Sequence, residues 1–534
     1  MNNTALPLAG LSPKWTLHVA RLSAGAASFA SLLAAATFSL PWAHCVSIWV
    51  LSLLLWGCVE VRAGDPAGSP TALDSASFAA TAALFALSFF AMAWFAQPMT
   101  WLNKGLAWDG QSYFGMYAAF KGYPHSGIPA PYGQRVGLPM LATFQHFHAD
   151  ENFGIFQCGF WVGAAALMAH CLRAQFRLSA AAVLTVFAWA HLMFISPARS
   201  AHFAPFNVEA PAAFFFALFL CLANTRKLTR AGAICLCVFA GFTAALFKET
   251  ALLVAVLGFA SHFWVAARAR RGLAAKQDAQ PPIRRWARAA REAALAPATR
   301  PWLGLALGAA MGSLIAQIPF GFEASSASAP SMDFWIKRRF EHPTEFIRIV
   351  AAYAIAWGPF ALLAISALAH RACVRQLSPD HAQRARETAA FELSKSDAQK
   401  DADTAPQVNE RALWLLLSLY ALASSFCGSD LTRFAFFALP LAAPLIVRQA
   451  RDWHPLLWLA TLAMSAPLAR LLQVIPSPDI TADPFNRGND TTGVYSWFAE
   501  YAVVHHVLLA LAYVVSCGLV LAVARALSSK SARE

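Results

Sequence analysis

An acidic residue in a polar stretch between two apolar segments is the first candidate for chemistry. The stretch 97–154 contains the run Trp108-Asp109-Gly110-Gln111-Ser112-Tyr113. An acid followed by glycine favours a tight turn that presents its carboxylate. Such a carboxylate can act as a general base when a hydroxyl group comes within hydrogen-bond reach. Asp109 fits a second interpretation equally well, as the cap of a following helix, and spacing alone leaves both open.

Two pairs of charged residues interrupt sequence that is otherwise apolar. They lie in the runs Phe247-Lys248-Glu249-Thr250 and Gly428-Ser429-Asp430-Leu431-Thr432-Arg433. A charge at the centre of a bilayer costs roughly 3 kcal/mol, so ionisable residues inside or beside membrane spans are functional candidates. The alternative is a structural ion pair between neighbouring helices. Asn207 and Glu209 begin an apolar stretch on the same side and are further candidates, although Glu209 also suits a plain helix start. His202 is similarly placed.

A group of metal-ligand types occurs at His146-x-His148-x-Asp150-Glu151. Imidazole and carboxylate groups bind zinc or manganese. Histidines two residues apart share one side of a strand but lie well apart on a helix, and the chain shows no second ligand cluster. A hydrated loop leading into the next span is the favoured interpretation, so no metal cofactor is predicted.

Composition places these residues in a membrane protein. Of 534 residues, 58% are hydrophobic and 13% are charged, against roughly 25% charged in a soluble domain. About fourteen apolar segments of roughly 17–23 residues fit the thickness of a hydrocarbon core. These are 22–40, 42–60, 76–96, 155–172, 179–196, 208–223, 231–247, 250–266, 302–320, 347–369, 412–427, 432–447, 455–475 and 501–525.

The net charge of +13 arises largely in loops between the apolar segments. No alternation of aromatic and basic residues accompanies it, which argues against nucleic-acid binding. Basic loops remain in the cytoplasm, and this rule places both termini there. Most cysteines lie inside apolar segments and form no metal or disulfide pattern.

The predicted class is therefore an all-α polytopic transmembrane protein. We divide it into an N-terminal start with an extra helical hairpin (1–75), a transmembrane core (76–369) with its first outer loop at 97–154, a flexible cytoplasmic loop (370–411) and C-terminal transmembrane helices (412–534). The segment Ile283–Leu295 is predicted to lie on the membrane surface as a basic amphipathic helix.

The first outer loop resembles that of the GT-C superfamily of bacterial membrane glycosyltransferases, which use polyprenyl-phosphate sugars. The resemblance lies in W-D-G-Q-x-Y from Trp108 and in P-Y-x-x-R-x-x-L-P from Pro131, and it extends to the runs at Phe247 and Gly428. It implies a GT-C-like fold with the active site facing the periplasm, where the acid of the first loop is the catalytic base. That acid is Asp109. Members that use a metal carry paired acids in this loop, and this chain has one.

The resemblance also implies cations that stabilise the leaving phosphate. The candidates are Arg135, Lys248 and Arg433, with Tyr113, Tyr132, Glu209, Glu249 and Asp430 in support. The run Lys337-Arg338-Arg339 lies on the predicted outer side, against the positive-inside tendency, and is expected to meet a partner such as a lipid phosphate. The alternative for this run is a solvated helix face.

The predicted function is inverting transfer of a hexose or pentose from a polyprenyl phosphate to a glycan, lipid or other envelope hydroxyl group. The predicted location is a bacterial inner membrane, and no nucleic-acid partner is expected. Broken helices with charged residues also suit a secondary transporter or a flippase for lipid-linked glycans. That alternative predicts an inverted internal repeat, and none is evident in the sequence.

Overall fold

The computed structural model describes residues 13–62, 71–99, 106, 109–124, 127–128, 132–225, 231–277, 282–317, 332–377, 409–426, 431–450, 453–475 and 504–531. Over these residues the chain is all-helical, which confirms the predicted class. The helices are α1 (Pro13–Thr37), α2 (Trp42–Arg62), α3 (Ala72–Ala96), α4 (Gly110–Phe120), α5 (Gly137–Ala142), α6 (Ala149–His170), α7 (Ala180–Leu192), α8 (Glu209–Ala223), α9 (Ala231–Phe247), α10 (Thr250–Gln277), α11 (Pro282–Ala294), α12 (Arg300–Ala316), α13 (Met332–Glu341), α14 (Thr344–Trp357), α15 (Pro359–Leu377), α16 (Glu410–Ser424), α17 (Leu431–Phe437), α18 (Leu439–Val447), α19 (Pro455–Ala469) and α20 (Val504–Ser531).

Six of these helices are long and apolar enough to cross a membrane. They run over Thr16–Thr37, Trp42–Arg62, Leu73–Ala96, Ala149–Gln175, Thr250–Arg271 and Val504–Ala526. The helix pair α14 and α15 makes a seventh if it is counted as one span. Shorter apolar helices occupy Ala180–Leu192, Glu209–Ala223, Gly232–Phe247 and Pro455–Ala469. The described chain is thus a helical membrane protein, while the count of fourteen spans stays a prediction.

The segment 347–369 is not one straight span. Helices α14 and α15 meet at an angle of 106°, where Gly358 has a positive φ of 40° and Pro359 begins the next helix. Proline lacks the N–H that would continue the helix. The indole of Trp189 fills the space beside Gly358 and donates a hydrogen bond of 2.7 Å to the carbonyl of Ala356. A tryptophan from α7 therefore satisfies a carbonyl group that the bend exposes.

The segment 432–447 is also divided, into α17 and α18 on either side of Ala438. Pro440 lies in the first turn of α18, so its missing N–H costs no helical hydrogen bond. The indole of Trp357 donates to the carbonyl of Ala435 at 2.8 Å. In both broken segments a proline follows the break. The indole N–H of a tryptophan from another helix donates a hydrogen bond to a backbone carbonyl group just before the break.

Glycines allow helices α9 and α12 to pack closely. A Cβ atom on Gly308 would lie 1.9 Å from the carbonyl oxygen of Val238, and one on Gly241 would lie 2.1 Å from that of Leu305. Gly304, Gly308 and Gly312 recur at every fourth position of α12. Small residues at this spacing let helix backbones approach one another in a membrane.

The N-terminal hairpin is held to α3 by buried ionic contacts. Arg21 on α1 binds both carboxylate oxygens of Glu60 on α2, at 2.5 and 2.6 Å, and Asp74 on α3 at 2.6 Å. Its side chain is only 1% exposed. Arg173 lies 3.5 Å from Asp74 on the other side. Helices α1 and α2 each have the length of a full span.

The remaining sequence boundaries differ in detail from the structure. The predicted surface helix corresponds to α11, whose Ala289 and Ala293 are buried while Ile283 and Trp286 are exposed. The predicted flexible loop 370–411 is helical at both ends, because α15 continues to Leu377 and α16 begins at Glu410. The interval between them, 378–408, lies outside the described residues.

Candidate functional site

Asp109 stands at the N-terminal end of α4, but its side chain does not cap that helix. The residue has helical backbone angles, and its carboxylate makes no capping hydrogen bond. Instead the carboxylate accepts a hydrogen bond of 3.0 Å from the hydroxyl group of Tyr132. Its other oxygen lies 3.6 Å from the guanidinium group of Arg433. The turn before α4 thus presents the carboxylate to side chains from distant parts of the chain.

Glu209 connects two of the predicted cations. One of its carboxylate oxygens lies 3.1 Å from Lys248 Nζ and 3.2 Å from Arg433 Nη1. Glu209 begins α8, Lys248 lies in the short break between α9 and α10, and Arg433 is in the first turn of α17. The ammonium group of Lys248 also lies 4.6 Å from the centre of the Phe437 ring, a favourable cation–π geometry.

Arg135 forms the other half of the site, immediately before α5. Its Nε and Nη2 donate to the two carboxylate oxygens of Glu249 at 2.6 and 2.5 Å. Its Nη1 donates to the hydroxyl group of Tyr113. The guanidinium group lies 5.1 Å from the centre of the Tyr132 ring. Each of the three guanidinium nitrogens of Arg135 therefore donates to a protein group.

These contacts form one network at one end of the helix bundle. Tyr132 joins Asp109 to the Arg135 half, and Arg433 joins Asp109 to the Glu209 half. The network, which we call the Asp109 cluster, consists of three carboxylates, three cations and two tyrosines: Asp109, Glu209, Glu249, Arg135, Lys248, Arg433, Tyr113 and Tyr132. The three negative charges balance the three positive ones, which reduces the cost of keeping them away from water.

Exposure distinguishes the members of the Asp109 cluster. The side chains of Arg433 and Asp109 are 20% and 19% exposed, whereas those of Lys248 and Glu209 are 8% and 7% exposed. Glu249 is 35% exposed, so a small molecule that approaches the cluster meets Glu249 as well as the pair Asp109–Arg433. The more deeply placed Lys248 and Glu209 hold that pair in position.

No protein-family model, curated protein or solved structure matches this chain.

The other predicted site residues lie away from the Asp109 cluster or outside the residues that the structure describes. Asp430 is not among the described residues. Lys337 points outward, 76% exposed, and lies 3.7 Å from Glu341 on its own helix. Arg338 and Arg339 instead face Glu345. The solvated-face interpretation of the Lys-Arg-Arg run thus fits Lys337 and does not fit Arg339, which is only 1% exposed.

Sequence reasoning missed three residues that contact the predicted site residues: Glu345, Arg348 and Phe437. Glu345 and Arg348 lie one helical turn apart on α14 and contact each other at 2.8 Å. Their spacing of three residues was the available signal. Phe437, beneath Lys248, gave no signal, since one aromatic residue in an apolar stretch is ordinary.

The histidine and acid group near 146–151 has a local structural role. The carboxylate of Glu151 accepts a hydrogen bond of 3.3 Å from the backbone N–H of His148, where α6 begins. Across the part of the chain that the structure describes, no three His, Cys, Asp or Glu side chains are grouped to hold a metal ion.

We expect Tyr132→Phe to lower any activity that uses the Asp109 carboxylate by roughly tenfold, because this carboxylate loses the hydroxyl group that orients it. Burial and the neighbouring Asp109 raise the pKa of Tyr132 to about 12. A raised pKa keeps the hydroxyl group protonated, so it donates to Asp109 at every pH well below that value. The ratio of variant to native rates is therefore constant between about pH 6 and 9.

A pH series of steady-state rates checks this expectation. Tyr123→Phe is the matched control, because Tyr123 is 60% exposed and lies between Asp109 and Tyr132 in the chain. A rate ratio for Tyr132→Phe that changes severalfold across the series would contradict a protonated donor.

Proposed function

We propose that this protein is a membrane glycosyltransferase that moves a sugar from a polyprenyl phosphate to a hydroxyl acceptor. The observation that carries the proposal is the pair Asp109–Arg433, a partly exposed carboxylate beside a partly exposed guanidinium group. An inverting transfer needs a base for the acceptor hydroxyl and a cation for the leaving phosphate. This pair supplies one of each, from elements 324 residues apart in sequence.

In the proposed reaction the Asp109 carboxylate takes the proton of the acceptor hydroxyl group. The acceptor oxygen forms a bond to the anomeric carbon as the bond from that carbon to the phosphate oxygen breaks. The phosphate leaves with the electron pair, on the face opposite to the attack. The configuration at the anomeric carbon is therefore inverted.

Arg433 is the best-placed cation for the leaving phosphate. A guanidinium group binds two phosphate oxygens at once, and Arg433 is more exposed than Lys248. Stabilisation is strongest where charge develops during bond breaking. Arg135 and Lys248, which are bound to Glu249 and Glu209, support the site in this proposal through its overall positive potential and through its geometry.

The membrane setting gives the choice of donor a physical basis. The basic loops place the Asp109 cluster, by the positive-inside rule, on the outer face of a bacterial inner membrane, with both termini in the cytoplasm. Nucleotide sugars are cytoplasmic, so an outward-facing site requires a sugar carried through the bilayer on a lipid. Fourteen spans in a GT-C-like arrangement belong to the same proposal, and the six long apolar helices support its membrane character.

We expect Arg433→Gln to weaken donor binding and to lower kcat together, each by about tenfold or more, because a bond to a charged group is lost in both states and most strongly in the transition state. Arg433→Lys keeps the positive charge but lacks the planar guanidinium group that binds two phosphate oxygens at once. This variant should recover part of kcat. Binding and turnover measured with the same purified donor check this expectation. Unchanged donor affinity in Arg433→Gln would contradict the phosphate assignment.

The experiment that tests the proposed function compares envelope glycans from cells with the native protein and with Asp109→Asn. Mass spectrometry should find glycans that carry one additional hexose or pentose in the native cells only. Identical glycan masses at equal protein abundance would overturn the proposal.

A transporter or flippase of lipid-linked glycans is the second candidate, and one observation favours it. The chain has two broken helical segments, α14–α15 and α17–α18, and Arg433 lies in the second. Helices broken next to charged residues bind substrates in transporters. This candidate predicts movement of the lipid-linked sugar across the bilayer with no new glycosidic bond.

A further inference from the structure

A second cluster of arginines surrounds Glu345, near the start of α14. Arg339 forms an ion pair with this carboxylate, Arg348 lies 2.8 Å from it and Arg338 lies 3.9 Å from it. The guanidinium groups of Arg338 and Arg339 lie 5.6 and 5.5 Å from the ring of Trp335. We call these residues the Glu345 cluster. One carboxylate faces three cations here, in contrast to the balanced Asp109 cluster.

Arg338 is the cation of the Glu345 cluster that is most available to a ligand. Its side chain is 23% exposed, against 1% for Arg339. Arg348 is 18% exposed but lies only 2.8 Å from Glu345, whereas Arg338 lies 3.9 Å from it, the longest of the three distances. A partly exposed guanidinium group with so long a contact to its carboxylate keeps N–H donors that can bind an oxyanion.

Large apolar side chains are exposed around the same cluster. Phe334 is 47% exposed, Phe340 68%, Phe346 41% and Val350 58%. They belong to α13 and α14, the helices that carry the arginines. Exposed apolar side chains beside arginine and tryptophan are typical of the boundary between lipid tails and headgroups. The surface thus presents a cationic group next to a region suited to acyl chains.

The Glu345 cluster lies at the same end of the helix bundle as the Asp109 cluster. Arg339 Nε donates to the carbonyl oxygen of Ser425 at 3.5 Å, just beyond the end of α16. Leu431 begins the next described helix, α17, and Arg433 of the Asp109 cluster is in its first turn. Ala351 and Ala352 of α14 pack in one apolar group with Leu431. Both clusters therefore meet the same membrane leaflet.

We propose that the Glu345 cluster binds the phosphate group of a membrane lipid through Arg338, with the acyl chains along Phe340 and Phe346. A soluble phosphate would use the cations and leave the apolar surface without a role, so the exposed phenylalanines favour a lipid. This inference does not depend on sugar transfer, because it rests on residues outside the Asp109 cluster. It assigns to Arg338 the phosphate contact that the sequence predicted for the Lys-Arg-Arg run as a whole.

The test titrates the detergent-solubilised full chain with dihexanoyl phosphatidic acid in a calorimeter. Inorganic phosphate and dihexanoylglycerol serve as probes for the headgroup alone and the tails alone. The native protein should bind the phosphatidic acid at least about tenfold more tightly than either probe. Inorganic phosphate that binds as tightly as the lipid would overturn the assignment to a lipid and leave a soluble phosphate as the ligand.

Matched variants locate the site. Arg338→Ala should weaken binding of the phosphatidic acid by about tenfold, which is the effect of one charge-assisted contact. Lys337→Ala removes the same charge from the adjacent position and should leave the affinity within about twofold. Arg338→Lys should restore most of the affinity. This result would show that the effect of Arg338→Ala comes from the lost positive charge and not from misfolding. Equal affinities for Arg338→Ala and Lys337→Ala would overturn the proposal.

Discussion

Asp109→Asn is expected to lower kcat for sugar transfer by about 10³-fold without any loss of donor affinity. General-base catalysis contributes typically 10² to 10⁴-fold, and an amide cannot take the acceptor proton. The amide oxygen can still accept the hydrogen bond from Tyr132, so the geometry of the cluster is largely kept. A purified, lipid-reconstituted protein with saturating donor provides the measurement.

Asp150→Asn is the matched control for this variant. Asp150 is an acid of the same segment, 97–154, in the first turn of α6, and its loss should leave kcat within about twofold. A rate for Asp109→Asn close to the native rate would remove Asp109 as the base and leave no assigned role for its contact with Arg433.

Arg21→Met is expected to lower the stability of the protein by about 3 kcal/mol or more. Arg21 is 1% exposed and neutralises Glu60 and Asp74 at once. A buried ion pair that loses one partner leaves an uncompensated charge, which typically costs about 3–5 kcal/mol. The thermal midpoint in detergent should fall by roughly 5 °C or more.

The double variant Arg21→Met/Glu60→Met separates this charge effect from a loss of packing. It should recover part of the stability, since the Glu60 carboxylate left without Arg21 is then absent, while Asp74 keeps its contact with Arg173. Arg62→Met, at an exposed position at the end of α2, should change stability by less than about 0.5 kcal/mol. A double variant less stable than Arg21→Met would contradict the electrostatic explanation.

The sequence was sufficient for much of the helical framework, because the length of apolar segments is set by the membrane and not by long-range contacts. Helices α2, α9 and α19, for example, begin within about two residues of the predicted segments, inside the usual uncertainty of such boundaries. The bend at Gly358 and the break between two helices at Ala438 were not predicted. Each depends on an indole group from elsewhere in the fold, Trp189 or Trp357, and no local pattern encodes that partner.

The cation positions of the Asp109 cluster were predictable, but their pairing was not. Lys248 and Arg433 were candidates because placing a charged residue within an apolar, membrane-spanning sequence costs free energy. That both bind Glu209, 39 and 224 residues away, follows only from the three-dimensional packing of α8, α9 and α17. The structure excludes the helix-cap interpretation of Asp109, because its side chain faces Tyr132 and Arg433 and makes no capping hydrogen bond. Its role as a general base stays a prediction.

The charge balance of the Asp109 cluster has a consequence for its use. A phosphate that binds Arg433 competes with the Asp109 and Glu209 carboxylates for the same guanidinium group. In the proposed enzyme, donor binding therefore draws Arg433 toward the phosphate and leaves the Asp109 carboxylate free to accept a proton. This exchange links arrival of the donor to activation of the base.

The most direct test of sugar transfer by the Asp109 cluster follows one labelled donor in proteoliposomes. Vesicles containing the purified protein receive a polyprenyl-phosphate sugar labelled at its anomeric carbon together with a hydroxyl acceptor, and NMR determines where the label goes. We expect a new glycosidic bond of inverted configuration with the native protein and with Lys337→Ala, and none with Asp109→Asn. Label that crosses the bilayer still attached to its lipid phosphate, with no glycosidic product, would rule out sugar transfer and identify a transporter.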